Sequence, residues 1–206
     1  MTIAEFVQQA KDAGLNYAVL RNWKQPTPHW GEFDRISSDR DTRIDVLTLN
    51  YPESFNDFEE EASKAYPESS YNFYIYRSNN YRNRNAEEAG TGLHLDINDI
   101  LHWQCRGSTM WKFGEVLEDP SKEHGRNGSF TGETDNIFLE PGDLIWLRGE
   151  TWHETENITE KRSLVFEPGK KENFFKHHFF DGEKDVYLNK NYKFFDGEKF
   201  VVVENE

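Results

Sequence analysis

Hydrophobic residues near the amino terminus recur at the spacing of an amphipathic helix. Thr2 followed by Glu5 has the spacing of a capping box, and Gly14 suits the position just after the C-cap. Four apolar residues share one face of this helix: Ile3, Phe6, Val7 and Ala10. The pattern therefore predicts a short helix that buries its apolar face.

The next segments predict two strands and a second helix. Apolar and β-branched residues indicate strands over residues 17–20 and 43–49. Pro52 suits the first turn of a helix, and Pro67 ends it. Apolar residues recur at helical spacing between these prolines: Phe55, Phe58, Ala62 and Ala65. Residues 1–70 are therefore expected to form an α/β segment that packs on the rest of the chain.

From residue 72 onward, short runs rich in aromatic and β-branched residues alternate with clusters of Gly, Pro, Asn and Asp. The runs are NFYIYR, ILHWQC, TMWKF, NIFLE, DLIWL and RSLVFE. Such runs between turn residues are typical of an antiparallel sandwich or barrel. We therefore predict a mainly β fold, with a jelly roll over residues 71–168 and a C-terminal β-rich extension over residues 169–206, in one compact unit.

Two long polar stretches and a repeat lie between or beyond these runs. Residues 77–92 and 119–136 are too polar for strands and longer than ordinary connections, so we expect them to border a functional mouth. The hexapeptide FFDGEK occurs at residues 179–184 and again at 194–199. Its Asp-Gly pair suits a tight turn, which predicts two hairpins on a sheet edge or in a dimer contact.

Composition narrows the classes of function. The formal net charge of −14 and the pI near 5.0 argue against general nucleic-acid binding, because a phosphate backbone would be repelled. Cys105 is the single cysteine and cannot form an internal disulfide. No signal peptide is recognisable, and no apolar run approaches the roughly 20 residues of a membrane span. We therefore expect a cytoplasmic protein that does not bind membranes.

Three residues carry the chemistry: His94 and Asp96 form an HxD pair, and His153 follows a Pro-Gly-Asp turn downstream. Residues two apart on a strand project to the same side, so His94 and Asp96 can bind one metal ion. Two imidazoles and one carboxylate form the facial triad that holds non-haem Fe(II) and leaves positions for O2 and a cosubstrate. The alternative is that both histidines are ordinary core or loop residues.

At these residues the chain resembles the cupin superfamily. Gly142, His153 and Asn157 keep the spacing of the second cupin motif, whereas Arg148 and Glu150 replace its proline and glycine. The resemblance implies a double-stranded β-helix, the jelly roll of the cupins.

The first cupin motif is altered as in one cupin branch, the JmjC-like 2-oxoglutarate-dependent oxygenases. Asp96 replaces the second metal histidine, and Ile100 replaces a later glutamate ligand. Loss of that glutamate leaves a metal position for oxygen or cosubstrate. The segment that follows is also similar to a JmjC stretch, matched by Gln104, Gly107 and Trp111.

The resemblance implies 2-oxoglutarate as cosubstrate, and its distal carboxylate needs a cation. JmjC hydroxylases often place lysine or arginine two residues after the strand glycine, where this chain has Thr109. Arg162 with Ser163 resembles the Arg-x-Ser pattern of other 2-oxoglutarate oxygenases, so Arg162 is the predicted anchor. The alternative is a surface salt bridge from Arg162 to one of three nearby acidic residues: Glu154, Glu156 or Glu160.

Three further residues complete the implied cosubstrate site. Thr91, three residues before His94, matches a threonine that binds the same carboxylate in several JmjC enzymes. Asn72 and Tyr74 correspond to an NxY strand that faces the cosubstrate. His102 is expected to flank the pocket rather than to bind the metal.

These patterns predict an Fe(II)/2-oxoglutarate-dependent oxygenase, in particular a hydroxylase, that uses O2 and releases succinate and CO2. Its unidentified substrate is a protein side chain or a small molecule. One alternative is a metal-dependent cupin enzyme that does not use 2-oxoglutarate. Another is a non-catalytic cupin that binds a sugar, a peptide or a partner protein. JmjC-like relatives often dimerise through terminal additions, so the aromatic tail is a candidate homodimer contact.

Overall fold

The computed structural model describes residues 1–26, 42–45, 53–78, 93–116, 130–159, 161–170, 176–179, 184–186, 191–195 and 200–204. These residues form helices α1 (Ile3–Asp12) and α2 (Glu53–Ala65) and fourteen strands. The strands are β1 (Tyr17–Leu20), β2 (Thr42–Asp45), β3 (Ser70–Ser78), β4 (His94–Asp96), β5 (Ile100–Arg106), β6 (Thr109–Phe113), β7 (Asp135–Leu139), β8 (Leu144–Leu147), β9 (His153–Asn157), β10 (Lys161–Gly169), β11 (Lys176–Phe179), β12 (Lys184–Val186), β13 (Asn191–Phe195) and β14 (Phe200–Glu204).

The strands form two antiparallel sheets. The larger sheet has the order β1-β8-β5-β10-β3-β13-β14, with β2 also paired to β3, and the smaller has the order β12-β11-β4-β9-β6-β7. Strands β3 to β10 therefore pass back and forth between the sheets, with β3, β5, β8 and β10 in one and β4, β6, β7 and β9 in the other. This is the predicted double-stranded β-helix.

Helix α1 begins with the predicted capping box. The Thr2 hydroxyl accepts a hydrogen bond from the Glu5 N–H at 3.2 Å, and the Glu5 carboxylate accepts one from the Thr2 N–H at 2.8 Å. The apolar face is buried, and Gly14 has a φ of 67° just after the C-cap, Ala13. Helix, cap and stop residue are as the sequence predicts.

Replacement of Thr2 by alanine is expected to lower the free energy of unfolding by about 1 kcal/mol, because the cap loses its side-chain acceptor. Thr2→Ser keeps a hydroxyl and serves as the control. Urea unfolding of the two variants measures the difference, and equal midpoints would contradict this role of the cap.

Aromatic side chains fill the layer between the larger sheet and the helices. The Phe58 ring of α2 lies 5.9 Å from the Phe73 ring of β3 and 5.7 Å from the Trp103 ring of β5, between centroids. Phe58 and Trp103 are fully buried. Large rings thus supply apolar area in a chain with only 35% hydrophobic residues.

A second apolar cluster lies between the two sheets. Its buried members are Tyr74, Ile100, Trp111, Phe113, Leu139, Ile145, Leu147 and Val165. Strands β5, β8 and β10 contact apolar residues on both faces and are therefore buried almost along their whole length.

Some predicted boundaries change. The strand predicted over residues 43–49 is described as β2 only to Asp45, and residues 46–49 lie outside the described part. Strand β7 begins at Asp135, inside the stretch predicted as a loop through Asn136. Strand β9 was not predicted, because its sequence HETEN is polar.

Both FFDGEK copies lie between paired strands. Strand β11 pairs antiparallel with β12, and β13 with β14, as expected for hairpins. The connecting residues 180–183 and 196–199 lie outside the described part of the chain. Neither described helix is long and apolar enough to cross a lipid bilayer.

Candidate metal centre and cavity

Two neighbouring strands of the smaller sheet carry the predicted metal ligands. His94 and Asp96 lie on β4 and share one face because side chains alternate along a strand. His153 begins β9 and is the direct cross-strand partner of His94. The pairing of β4 with β9 therefore brings residues about 60 positions apart in the sequence to one point.

The donor atoms of these three side chains converge. His94 Nε2 lies 4.0 Å from Asp96 Oδ1, and His153 Nε2 lies 3.6 Å from Asp96 Oδ2. One ligand atom from each residue lies within 4.8 Å of the others, and all three residues are buried. Two imidazole nitrogens and one carboxylate oxygen that meet in this way form a donor set suited to one non-haem iron ion.

A backbone carbonyl fixes the tautomer of His153. Its Nδ1 lies 2.9 Å from the carbonyl oxygen of Thr151, so Nδ1 carries the proton and donates it. The lone pair of Nε2 is then directed to the metal position. A hydrogen bond to the second ring nitrogen orients most metal-binding histidines in the same way.

Backbone N–H groups of the loop after β8 donate hydrogen bonds to the segment at and just after the end of β4. The Glu150 N–H donates to the carbonyl oxygen of Asp96 at 2.7 Å, and Glu150 adopts a φ of 65° to do so. The Gly149 N–H donates to the Asp99 carboxylate at 2.9 Å. These contacts join the segment that follows Asp96 to the segment that precedes His153.

Asp99 also contacts the helical layer. Its carboxylate accepts hydrogen bonds from the Tyr66 hydroxyl at 2.8 Å and lies 3.0 Å from Lys11 Nζ. Burial acts to raise the Asp99 pKa, but the donors from Gly149, Tyr66 and Lys11 outweigh it and hold the pKa below its ordinary value. The carboxylate is therefore charged and links α1 to the loops of the metal centre.

A narrow cavity of about 40 Å³ opens between the two sheets beside the three ligands. Besides them it is lined by Tyr74, Tyr76, Ile100, His102, Trp111, Thr155, Lys161 and Val165. The Trp111 ring stacks on His153 at 5.4 Å and meets His102 edge-on at 5.0 Å, between centroids. Trp111 thus separates the metal ligand from His102.

Lys161 provides the cation in the lining of this cavity. Lys161 is the first residue of β10 and is 2% exposed. Its Nζ lies 4.5 Å from the centroid of the Tyr76 ring. A buried ammonium is stable only beside charged or strongly polar groups, so a ligand carboxylate is a suitable partner. No motif in the sequence indicates Lys161.

Arg162, the predicted anchor of the distal carboxylate, is not among the residues that line the cavity. It follows Lys161 on β10 and therefore points to the opposite face, where Leu164 and Phe166 pack against the helices. Its Nη1 donates to the carbonyl oxygen of Lys161 at 2.9 Å, and its side chain is 2% exposed. Arg162 is therefore not the surface residue that the predicted alternative assumed.

The other residues predicted to contact the cosubstrate differ in their position relative to the cavity. Tyr74 lines the cavity. Asn72 lies on the same strand face and is buried, but it does not line the cavity, and neither of its amide atoms has a hydrogen-bond partner. Thr91 lies outside the described residues. His102 lies in the cavity wall, as expected.

A wider cleft of about 750 Å³ lies at the end of the jelly roll where β6 ends and β9 begins. The Tyr17 ring stacks on Phe113 at 3.9 Å, and the Phe113 ring lies 6.2 Å from His153. Burial, then the acceptor Asp135, raises the Tyr17 pKa to about 12, so this hydroxyl stays protonated. Four of the lining residues are acidic: Glu115, Glu133, Asp135 and Glu150.

Comparison with known families finds a match over more than half of the chain. The family profile of the JmjC domain matches residues 55–176, which include the three metal ligands and Lys161. Comparison with curated proteins finds no match.

The fold is similar to solved structures at low sequence identity. The ribosomal oxygenase YcfD from Escherichia coli, in complex with cobalt and succinic acid, is 16% identical with a TM-score of 0.52, and 84% of this chain covers 54% of that one. In complex with cobalt and 2-oxoglutarate, YcfD gives 16% identity and a TM-score of 0.47, with 76% of this chain on 48% of that one. A cupin superfamily protein from Desulfitobacterium hafniense is 10% identical with a TM-score of 0.40, with 73% of this chain on 98% of that one. The chain thus spans about half the length of YcfD.

Proposed function

Because the chain belongs to the JmjC domain family, we propose that it is an Fe(II)/2-oxoglutarate-dependent oxygenase, in particular a hydroxylase. The observation that carries the proposal is the convergence of His94, Asp96 and His153 in the wall of a cavity that also contains Lys161. Bound Fe(II), with 2-oxoglutarate and O2, would supply the oxidation of a substrate C–H bond to an alcohol, with release of succinate and CO2.

The three ligands have separate tasks in this proposal. The Asp96 carboxylate supplies the negative charge that a buried dication needs, and the imidazoles of His94 and His153 supply neutral donors. The Thr151 carbonyl keeps the proton of His153 on Nδ1, away from the metal. Three protein ligands leave coordination positions for the two reactants.

Lys161 is the proposed anchor of the distal carboxylate of 2-oxoglutarate. Its burial makes a charge-assisted contact stronger than it would be in water. Trp111 contributes a second donor, since its indole N–H is buried without a hydrogen-bond partner and its ring lines the same cavity. Tyr74 and Thr155 line the same cavity.

Lys161→Met is expected to weaken 2-oxoglutarate binding roughly 10- to 100-fold, because a hydrogen bond to a charged group contributes about 1.5–3 kcal/mol. Calorimetric titration of the Mn(II)-loaded protein measures the dissociation constant without turnover.

Arg162→Met is the matched control, since it removes the neighbouring cation from the opposite face of the same strand. Its dissociation constant is expected to stay within about threefold of the wild-type value. Should Arg162→Met lose affinity while Lys161→Met keeps it, the anchor is Arg162, as the sequence motif indicated.

The wide cleft is the proposed entrance for the substrate. It borders His153 through Phe113 and Trp152, and its volume of about 750 Å³ can admit a protein side chain or a small molecule. Because the E. coli neighbour is described as a ribosomal oxygenase, protein substrates are the first class to test.

Anaerobic addition of Fe(II) and 2-oxoglutarate tests the function. A weak visible charge-transfer absorption that needs both additions supports the oxygenase. A metal-dependent cupin without this cosubstrate would bind Fe(II) and give no such absorption. A non-catalytic cupin would bind neither, and either of these results would overturn the proposal.

A further inference from the structure

Aromatic rings form a continuous row from the candidate metal centre to the wide cleft. Trp111 stacks on the candidate ligand His153 with 5.4 Å between centroids and 20° between planes. Phe113 stacks on Trp111 at 6.2 Å and 13°, and Tyr17 stacks on Phe113 at 3.9 Å and 11°. We call Trp111, Phe113 and Tyr17 the aromatic row. Its neighbouring rings are nearly parallel, and no step between centroids exceeds 6.2 Å.

The sequence of β6 produces the inner part of this row. Side chains alternate along a strand, so Trp111 and Phe113 lie on the same face of β6. Both rings are buried between the sheets, where they belong to the second apolar cluster. The pairing of β6 with β9 places Phe113 directly opposite His153. The inner rings are therefore held by two strands of the smaller sheet and are shielded from solvent.

The outer end of the row is a tyrosine whose hydroxyl has a proton acceptor. The Tyr17 hydroxyl donates a hydrogen bond to the Asp135 carboxylate, and both residues line the wide cleft. Because the Tyr17 pKa is raised to about 12, the hydroxyl holds its proton before any oxidation. A phenol that loses one electron becomes strongly acidic, and a carboxylate within hydrogen-bond reach can take the proton. Small molecules in solvent can reach Tyr17 through the cleft.

We propose that the aromatic row is an electron-transfer path from Tyr17 to the candidate metal centre. Its function would be to remove an oxidant formed there from O2 when no substrate is bound, before that oxidant attacks the cavity wall. Tyrosine and tryptophan are the aromatic side chains that lose one electron most readily, and the Phe113 ring bridges them. The inference rests on the proposed function, because it needs a metal centre that reacts with O2.

The proposed step balances in electrons and protons. Tyr17 gives one electron, which passes through Phe113 and Trp111 and reduces the oxidant at the metal centre by one electron. The phenolic proton of Tyr17 passes to Asp135, which leaves a neutral tyrosyl radical beside the cleft. A small one-electron reductant from solvent then reduces this radical, and Asp135 returns the proton.

The test adds O2 to protein loaded with Fe(II) and 2-oxoglutarate, without substrate, and freezes samples at a series of times for electron paramagnetic resonance. Protein with ring-deuterated tyrosine identifies a tyrosyl signal by its narrowed hyperfine structure. Tyr17→Phe keeps a stacked ring but removes the hydroxyl. Tyr71→Phe is the matched control, since the Tyr71 hydroxyl also donates to a carboxylate, that of Glu59 at 2.9 Å, but lies in the layer beside the helices.

Wild type and Tyr71→Phe are expected to give the tyrosyl signal, and Tyr17→Phe is expected to lose it. Peptide mass spectrometry should then find more oxygen added to Trp111 in Tyr17→Phe than in wild type, because the oxidant is no longer reduced from the cleft.

Asp135→Asn is a second variant, at an exposed position, that keeps all three rings. It is expected to lose most of the tyrosyl signal, because an amide does not take up the proton. Glu133→Gln, in the same cleft, should keep the signal.

The outcomes separate the inference from the proposed function. If the charge-transfer absorption forms but O2 yields no tyrosyl signal, or the signal persists in Tyr17→Phe, the inference is overturned while the proposed function stands. If Fe(II) and 2-oxoglutarate give no such absorption, the proposed function itself fails, and the inference fails with it.

Discussion

Replacement of Asp96 by alanine is expected to abolish metal binding and, with it, conversion of 2-oxoglutarate to succinate. Two imidazoles then remain without the carboxylate that lies 4.0 and 3.6 Å from them. A metal ion that binds only the folded state stabilises it by about 2.7 kcal/mol at a hundredfold excess over its dissociation constant. Mn(II) should raise the free energy of unfolding of wild type by about this amount, and it should not raise that of Asp96→Ala.

Thermal unfolding with and without Mn(II) measures the gain, and succinate formation with Fe(II) measures the activity. The activity loss should exceed the roughly 10- to 100-fold that substitution of a residue behind a metal ligand costs. Asp12→Ala removes an exposed carboxylate from the end of α1 and should keep both the gain and the activity. If Asp96→Ala is still stabilised by Mn(II), the metal centre is assigned to the wrong residues.

Gly149→Ala is expected to damage folding and the metal centre together. A Cβ at this position would overlap the carbonyl oxygen of Ile97 and lie 3.1 Å from the carbonyl carbon of Asn98. Both obstacles are backbone atoms, so the loop after Asp96 and the loop before His153 must move apart. We expect a loss of about 3 kcal/mol in the free energy of unfolding. Displacement of a ligand by about 1 Å would cost roughly a hundredfold in turnover.

Gly132→Ala is the matched control, since a Cβ there meets no atom within 4 Å. Urea unfolding and the Mn(II) dissociation constant are measured for both variants. An unchanged Mn(II) affinity in Gly149→Ala would mean that the contact between the two loops does not position the ligands.

The sequence was sufficient to predict that His94, Asp96 and His153 converge, but not which cation lines the cavity. His94 and Asp96 follow from strand alternation, and His153 from its motif spacing, both of which are local properties. Residues 161–168 of β10 are buried on both faces, so apolar and polar positions do not alternate there. Nothing in the pattern distinguishes the face of Lys161 from that of Arg162, and the motif indicated Arg162, whereas Lys161 lines the cavity.

Strand β9 was not predicted, for a related reason. Glu154 and Glu156 face outward and lie 3.5 and 3.4 Å from Lys112 of the neighbouring strand. His153 and Thr155 face inward and line the cavity. A strand that presents charges on one face and site residues on the other has no apolar period, so only its partners β4 and β6 identify it.

Asp99 couples the helical layer to the loops beside the three candidate ligands. Its carboxylate is held at once by Lys11, Tyr66 and Gly149, so an opening of α1 would remove a support of the loop before His153. Segments that share such a contact tend to open as one cooperative unit. We therefore expect fluctuations of the amino-terminal helix to disturb the candidate metal centre, and a truncation of this helix to weaken Mn(II) binding although all three candidate ligands remain.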